Sequence, residues 1–285
     1  MTGDTLPIER FEEHRGHLRR VAYRMLGTLH EADDAVQEAW LRASQAGVAG
    51  VDNLGGWLTT IVARVCLDVL RSRETRREVH VPDPIISSGE ELDPEHAAVL
   101  ADSVGLALLV VLETLSPAER LAFVLHDMFH VPFEGIAELI DKTPAATRQL
   151  ASRARRRVQE QAPAPDPDLA RQREVVSAFF AASRDGDFAA LVSVLDPDVM
   201  LRSDGGISRP RFNLILQGAK DVARQAFTSR KLSPFVRPAL VNGAAGVVVA
   251  PQGTPAFVMA FTVTGGRIVA IDVLADPDRL KQLNI

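Results

Sequence analysis

Through the first part of the chain, apolar side chains recur every three or four positions, the period of an α-helix. The segment 115–158 shows this best. Ser116 and Glu119 have the spacing of a capping box, and Pro144 stands at the first position of a later helix. The turn Asp141–Thr143 lies between these signals. The segment therefore predicts short helices that end in a helix-turn-helix.

The helix that follows Pro144 has two contrasting faces. Small or apolar side chains share one face and predict a buried seam: Thr147, Ala151, Ala154 and Val158. Polar side chains share the opposite face or flank it: Arg148, Gln149, Ser152, Arg153, Arg155 and Arg156. Arginine can read guanine, glutamine can read adenine, and further arginines can hold phosphates, so this face suits the major groove of duplex DNA. The alternative is a solvated helix end whose arginines complement the helix dipole.

Residues 8 to 75 also follow the helical period and contain two notable surfaces. The first is an acidic rim within residues 31–38, which either complements a helix N-terminus or meets a basic partner. The second follows a glycine-rich loop, where Trp57 begins a helix whose basic edge includes Arg64, Arg71 and Arg73. An aromatic ring beside basic side chains is typical of single-stranded DNA binding. The alternative is that Trp57 anchors the core.

Two segments rich in proline and acidic residues predict linkers at 78–94 and 161–167, and a helix is expected from about Pro94 to Thr114. After residue 168 the pattern changes. Two helices broken at 185–187 and a third over 218–232 are combined with runs of β-rich sequence. Gly265–Gly266 lies between two of these runs and predicts a hairpin, so the C-terminal part is expected to be an α+β domain.

Composition narrows the classes of protein to consider. The chain has 285 residues, a net charge of −5 and a single cysteine, Cys66, which excludes a disulfide framework and indicates a reducing cytoplasm. We expect no signal peptide, no membrane span and no metal or other cofactor. All seven histidines lie at or before His130. The C-terminal part is therefore poor in the residues that usually carry catalysis.

Three blocks of the sequence together resemble a known family: EADDAVQEAWLRA, GWLTTIVARVCLDVLRSR and the segment 115–158. They are similar to regions 2 and 4 of extracytoplasmic-function sigma factors of the sigma-70 family. The C-terminal part resembles a SnoaL-like domain, which has the cone-shaped nuclear-transport-factor-2-like fold. The resemblance includes two short motifs. In a group of sigma factors with this fused domain, these motifs are DGG and N/DPD-[KR]-[LF]. Here they read SDGG and DPDRL, but HVPDP stands where the group often has a WLPEP-like segment.

The resemblance implies a role for each surface. The acidic rim, Asp33, Asp34, Gln37 and Glu38, would meet the clamp helices of the largest subunit of core RNA polymerase, and the flap would be a second contact. Asn53, Trp57, Thr60, Arg64 and Arg71 would bind the melted −10 strand, and the polar face after Pro144 would read the −35 element. The motif residues Asp204, Gly205, Gly206, Asp276, Pro277 and Asp278 would be regulatory.

The resemblance also implies a multidomain fold with two all-α sigma domains and one α+β cone. We expect a region 2 domain over 8–77, a linker over 78–94, and a region 4 helix-turn-helix domain over 95–160. A second linker at 161–167 leads into a SnoaL-like domain at 168–285. The chain would be a sigma factor that directs promoter-specific initiation and whose activity the C-terminal domain tunes.

Two alternatives remain at this stage. A ligand-sensing helix-turn-helix regulator would explain the polar helix face but not the blocks that resemble region 2. An isomerase or cyclase in the C-terminal domain would need a carboxylate base and a donor for the oxyanion. Asp204 and Asp272 could be acids, but that domain has no histidine, tyrosine, tryptophan or cysteine. Regulation is therefore favoured over catalysis, and a conical pocket could still hold a small apolar ligand.

Overall fold

The computed structural model of the chain describes residues 6–76, 82–87, 106–161 and 165–283. They divide into two compact units. The helical unit contains the described residues up to 82 and those from 109 to 161, and the C-terminal unit contains 83–87, 106–108 and 165–283. In this described part of the chain, no helix is both long enough and apolar enough to cross a membrane.

Three helices begin the helical unit: α1 (Ile8–Leu26), α2 (Leu29–Ala46) and α3 (Leu54–Arg76). Gly27 ends α1 in the left-handed conformation, with a φ of 84°, which glycine adopts without a steric penalty. Thr28 then caps α2, because its side-chain oxygen accepts a hydrogen bond from the backbone N–H of Glu31. Two residues therefore suffice to end one helix and begin the next.

Four further helices follow along the chain: α4 (Leu106–Glu113), which belongs to the helical unit from residue 109 onward, α5 (Pro117–Phe123), α6 (Phe133–Leu139) and α7 (Pro144–Gln161). The predicted capping box is present at Ser116 and Glu119, and α5 continues into a π-helical turn, Val124–Met128. Thr143 caps α7 by accepting a hydrogen bond from the N–H of Ala146. The predicted helix-turn-helix is confirmed. Residues 94–105 of the helix expected from Pro94 lie outside the described residues.

The seam predicted on α7 is buried. Thr147, Ala151 and Ala154 have no exposed surface, and Val158 is half-buried. Helix α7 packs against α5 and α6, and its small side chains allow this close approach. The same periodicity leaves the polar face of α7 in solvent.

In the C-terminal unit, a mixed sheet is combined with four helices: α8 (Leu169–Asp185), α9 (Phe188–Val194), α10 (Ala219–Thr228) and α11 (Pro277–Leu280). The strands are β1 (Ile86–Ser87), β2 (Leu195–Asp204), β3 (Leu214–Gln217), β4 (Val236–Val241), β5 (Ala244–Val249), β6 (Phe257–Thr264) and β7 (Arg267–Leu274). Their order in the sheet is β1-β4-β5-β6-β7-β2-β3, and only the β2–β7 pair is parallel among them. Side chains from α8, α9, α10 and one sheet face share a core. This is the α+β cone that the resemblance implied.

Two hairpins determine the register of the sheet. Gly265 and Gly266 both have positive φ and join β6 to β7, as predicted, and their N–H groups donate to the carboxylate of Asp166. These two backbone N–H groups lower the pKa of Asp166. A second two-residue turn, Asn242–Gly243, joins β4 to β5 with both φ values positive. Such turns match the twist of the strands that they connect.

The strand β1 lies within the segment 78–94 that the sequence predicts to be a linker. It pairs antiparallel with β4, where Ile86 lies opposite Val241 and Ser87 opposite Leu240. The chain there is extended, as expected, but it is also an edge strand of the C-terminal sheet. Neither β1 nor β3 was predicted, because both are too short to show an alternating pattern.

Candidate nucleic-acid interface

The polar face of α7 is exposed and continuous. Gln149, Ser152, Arg153 and Arg156 all lie on the solvent side of the helix, opposite the buried seam. The positions that the sequence predicts to face DNA are therefore exposed, and those that it predicts to pack inside are buried. A helix with this face uncovered can enter a major groove without rearranging its own core.

Several arginines on and beside this face contact carboxylates of the preceding helices. Arg153 Nε lies 3.1 Å from Glu119, Arg148 Nη2 lies 3.0 Å from Glu134, and Arg155 Nη2 lies 2.6 Å from Asp127. Arg157 approaches Glu119 at 3.5 Å. These arginine side chains are between 43% and 55% exposed, so each ion pair is worth only about 0–1 kcal/mol. The arginines can therefore exchange these partners for DNA phosphates or bases.

Glu119 connects the helix cap to the recognition helix α7. Burial raises the pKa of its carboxyl group, but hydrogen bonds from Ser116 and Arg153 outweigh that effect, and the net pKa is lowered. Glu119 thus remains ionised at neutral pH. It closes the capping box of α5 and at the same time orients Arg153.

The residues implied for −10 recognition extend along α3, with Asn53, Trp57 and Thr60 at its start. Asn53 caps this helix, since its Oδ1 accepts a hydrogen bond from the N–H of Gly56 at 2.9 Å. Thr60 donates to the carbonyl of Trp57, and both side chains are half-buried. Arg64 and Arg71 are exposed further along the helix. Helix α3 therefore carries a partly exposed indole and, two turns further along, the exposed Arg64.

Arg73 does not belong to the basic edge predicted for α3. Its side chain is buried, pairs with the carboxylate of Glu31 and donates to the carbonyl of Leu26 at 3.1 Å. The helical period turns position 73 toward α1 and α2. The pattern of arginines in the sequence did not reveal this, because a buried arginine and an exposed one look alike without their partners.

The acidic rim lies on α2, where Asp33, Asp34 and Gln37 are exposed and Glu38 is half-buried. Arg19 Nε of α1 lies 2.6 Å from Asp33, and Arg42 Nε lies 2.8 Å from Glu38. The rim is thus partly neutralised within the chain. A strongly basic partner surface could still compete for these carboxylates.

The parts of the helical unit that resemble regions 2 and 4 are packed against each other through a closed contact formed by Arg120, Met25, His17 and Phe129. Arg120 of α5 is buried, and its guanidinium donates to the carbonyl of Met25 in α1 at 2.8 Å and to Glu113 at 2.8 Å. The ring of His17 lies edge-to-face on Phe129, with centroids 5.4 Å apart. A fully buried arginine needs all such partners, so this contact fixes one arrangement of the two parts.

The sequence motifs of the C-terminal part also come together. Arg279 of DPDRL donates to Asp204 of SDGG at 2.9 Å, and its Nε lies 2.6 Å from Asp83 of HVPDP. The backbone of Ile85 is bound by Asn242 in both directions, at 2.9 and 2.8 Å. We call these five residues, Asp83, Ile85, Asp204, Asn242 and Arg279, the linker clasp. The sequence predicted the motifs but gave no sign that Asp83 would join them.

Glycine is required at both positions of the SDGG turn. A Cβ on Gly205 would lie 2.8 Å from the Cβ of Phe212, and one on Gly206 would overlap the carboxylate of Asp276. Asp276 in turn caps α11, whose Pro277 and Asp278 follow directly, and Asp278 pairs with Lys281. The six motif residues named from the sequence thus form one close-packed turn and cap.

Neither candidate acid of the C-terminal unit is placed for catalysis. Asp272 is buried and pairs with Arg202 at 3.1 Å; burial raises the pKa of its carboxyl group, while Arg202 opposes the rise. Asp204 belongs to the linker clasp. Neither residue lines the two cavities found among the described residues of this unit.

Comparison with known proteins identifies the two regions that contain the helices α3 and α7. Residues 10–76 match Sigma-70 region 2, and residues 105–158 match Sigma-70, region 4. The ECF RNA polymerase sigma factor SigJ of Mycobacterium tuberculosis is 39% identical over 295 residues, which cover 96% of this chain and 93% of SigJ. The probable ECF RNA polymerase sigma factor SigI of the same organism is 37% identical, with 95% and 93% coverage.

The crystal structure of SigJ also has a similar fold. It aligns with a TM-score of 0.77 at 35% identity, and the alignment covers 98% of this chain and 99% of SigJ. The likeness includes the C-terminal unit as well as the helices. The chain therefore belongs to the extracytoplasmic-function RNA polymerase sigma factors, and it is a promoter-directing factor for transcription initiation rather than an enzyme.

Proposed function

We propose that this sigma factor reads duplex −35 DNA with α7, binds the melted −10 strand at the start of α3, and docks on polymerase through the acidic rim. The exposed Gln149–Arg156 face carries the first assignment. The half-buried Trp57 and the exposed Arg64 on the same helix support the second. The clamp helices and the flap of polymerase are the partners assigned to regions 2 and 4, and the protein would act in the cytoplasm with that enzyme.

The closed contact implies that the two DNA surfaces must separate before both can be used. The names −10 and −35 place the two elements about 25 base pairs apart, or roughly 85 Å along B-form DNA. A compact unit of this size has a radius of gyration of about 14 Å. The helical unit cannot bridge that distance while Arg120 holds the carbonyl of Met25. We therefore assign the closed contact to the free protein and an open arrangement to the polymerase-bound one.

Reconstituted transcription tests the assignment. Purified protein added to core polymerase should yield a promoter-specific transcript, and the transcript should fall with both Arg153→Ala and Trp57→Ala. A fall with Arg153→Ala alone would contradict the −10 assignment. If the protein bound promoter duplex but conferred no initiation on core polymerase, the division of labour between α3 and α7 would be wrong.

The C-terminal unit tunes this activity, in our proposal, by holding the linker. Asp83 and Ile85 are fixed by Arg279 and Asn242, and β1 pairs with β4. Because residues 83–87 are bound to the C-terminal unit, they cannot extend as part of the linker between regions 2 and 4. Their release would add roughly 17 Å of reach, which the separation of the two regions requires.

Asp83→Asn tests this part separately, because it weakens the clasp without touching α3 or α7. The uncharged amide loses the ionic attraction to Arg279, and we expect promoter-specific transcription to rise several-fold. Glu174→Gln, which removes one charge from an exposed position of α8, is the matched control and should leave transcription unchanged. Equal transcription from the wild type and Asp83→Asn would reject a regulatory role for the clasp.

A further inference from the structure

The C-terminal unit contains a cavity of about 110 Å³ that the sigma function does not explain. Aromatic rings form much of its wall, among them Phe179, Phe180, Phe212 and Phe257. Ser203 and Gln225 supply polar atoms at the lining. None of the described residues that line the cavity carries a titratable side chain.

This lining selects the class of ligand. A charged molecule would lose its hydration without gaining an ionic partner, so a neutral one is favoured. Rings in the wall pack edge-to-face, as Phe179 and Phe180 do with centroids 5.3 Å apart, and can accept another ring in the same way. Apolar cavities of comparable volume bind benzene-sized molecules. The cavity therefore fits a compact neutral molecule with one or two rings and at most a few hydrogen-bonding groups.

One wall of the cavity is also part of the SDGG turn. Phe212 lies edge-to-face on Phe257, with centroids 5.2 Å apart. A Cβ at Gly205 would overlap the carbonyl oxygen of Arg209 and lie only 2.8 Å from the Cβ of Phe212, so the backbone of the turn lies close to the base of the Phe212 side chain. Asn213 closes the turn, since its Oδ1 accepts from the N–H of Gly205 at 2.6 Å. The ring of Phe212 and the backbone of Gly205 therefore cannot move independently.

The same turn holds the linker clasp. One carboxylate oxygen of Asp204 accepts from the N–H of Gly206 at 2.8 Å, and the other accepts from Arg279 at 2.9 Å. Arg279 in turn binds Asp83. An unbroken series of direct contacts thus runs from the cavity wall at Phe212 to Asp83 in the linker, all within the C-terminal unit.

We infer that the cavity binds a small neutral apolar ligand and that its occupancy holds the linker clasp closed. The inference rests on the proposed role of the clasp in tuning the sigma factor. When the clasp opens, Asp204 and the SDGG turn shift, and the wall formed by Phe212 is no longer in place. A ligand that binds only the intact cavity then disfavours opening by the factor 1 + [ligand]/Kd. By linkage, opening the clasp weakens ligand binding to the same extent.

Indole is a suitable probe because it is neutral, compact and aromatic. Calorimetric titration of the full-length protein should give one site with a Kd of roughly 1 mM or tighter. Ala226→Leu adds side-chain volume at the cavity and should abolish binding while the circular dichroism spectrum stays unchanged. Indole binding that persists in Ala226→Leu, or is absent from the wild type, would overturn the inference.

Hydrogen exchange reports the coupling. The amides of Ile85 and Asn242 donate within the clasp, so their exchange requires it to open. At an indole concentration ten times its Kd, their exchange should slow by up to about 11-fold, whereas amides of α1 should be unaffected. Indole binding without any slowing would refute the coupling.

The reciprocal experiment separates this inference from the proposed function. Asp83→Asn should weaken indole binding several-fold, although residue 83 does not line the cavity, and Glu174→Gln should leave it unchanged. If Asp83→Asn altered transcription but not indole affinity, the clasp would regulate without the cavity, and only the present inference would fail. If it altered indole affinity but not transcription, the coupling would stand and the regulatory role would fail.

Discussion

The recognition helix α7 and the linker clasp both place arginines against carboxylates, but in very different surroundings. Arg153 of α7 is 51% exposed and shares Glu119 with Arg157, which is 46% exposed. Arg279 of the clasp is 17% exposed, and its partners Asp83 and Asp204 are 17% and 16% exposed. Glu119 itself is only 9% exposed and also accepts from Ser116, so the difference lies in the arginines: water reaches those of α7 and is largely excluded from Arg279.

This difference in exposure separates two uses of the same side chain. The exposed pairs of α7 contribute little to folding, so their arginines can transfer to DNA at small cost. The clasp must keep its ion pairs, because an unpaired charge at a site with little solvent is strongly unfavourable. Binding surfaces and structural latches can thus be distinguished by burial where the residue types are the same.

Removal of the clasp cation should have the largest effect. In Arg279→Met, Asp83 and Asp204 would face each other without a counter-charge, and the C-terminal unit should lose about 2–4 kcal/mol of its free energy of unfolding. Urea denaturation with a probe in that unit would measure this loss. Arg224→Met, on an exposed position of α10, should change stability by less than about 0.5 kcal/mol. Equal losses of stability in the two variants would contradict the conclusion that buried ion pairs stabilise the fold more than exposed ones.

The α7 arginines should show the opposite pattern. Arg153→Ala should reduce promoter binding by the polymerase-bound factor about 10- to 100-fold, because the shortened side chain can no longer reach a base edge. Its effect on unfolding should stay below about 1 kcal/mol. Arg157→Ala is the matched control, since it removes a similar ion pair with Glu119 but is not among the residues assigned to the −35 element. An equal fall in binding for both variants would place the DNA surface elsewhere on α7.

The closed contact should respond to pH through His17. Burial lowers the pKa of its imidazole, and Arg20 and His14 lower it further. Because the folded pKa lies below the usual 6.5, the open or unfolded state binds more protons, and stability is lost as the pH falls from about 7 through the folded pKa. The closed contact should therefore be less stable at pH 5.5 than at pH 7.5. Melting curves between pH 7.5 and pH 5.5 should show it in the wild type and not in His17→Gln.

The salt concentration should have a smaller effect, which still distinguishes α7 from the linker clasp. If Arg156 binds one phosphate, Arg156→Ala should reduce the slope of log K against log salt by about 0.9, a difference of about three- to fourfold in affinity between 50 and 200 mM salt. Filter binding at those concentrations would measure it. The exchange rate of the Ile85 amide in the clasp should change much less over the same range. An unchanged slope in Arg156→Ala would mean that this arginine does not contact phosphate.

The helical unit could be predicted from the sequence with good accuracy because its signals are local. The cap at Ser116 and Glu119, the turn before Pro144 and the seam of Thr147, Ala151 and Ala154 depend on residues three or four positions apart. In the C-terminal unit, the break at Gly186 and the hairpin at Gly265–Gly266 were predicted for the same reason. The domain limits and the roles of individual site residues stay predictions.

The tertiary structure alone decided which charges are buried and which distant segments meet. Position 73 and position 64 read alike in the sequence, yet Arg73 pairs with Glu31 inside the unit while Arg64 is exposed. Asp83 and Arg279 are 196 positions apart, and no periodic pattern can signal such a contact.

The sequence by itself thus determined the helices, the exposed polar face of α7 and the family. The fold decided that regions 2 and 4 are closed on each other through Arg120 and that Ile86 and Ser87 of the predicted linker pair with the C-terminal sheet. The physical reason is the range of the interactions. Helix periodicity and capping act within one or two turns, whereas burial of a charge depends on every segment that packs around it.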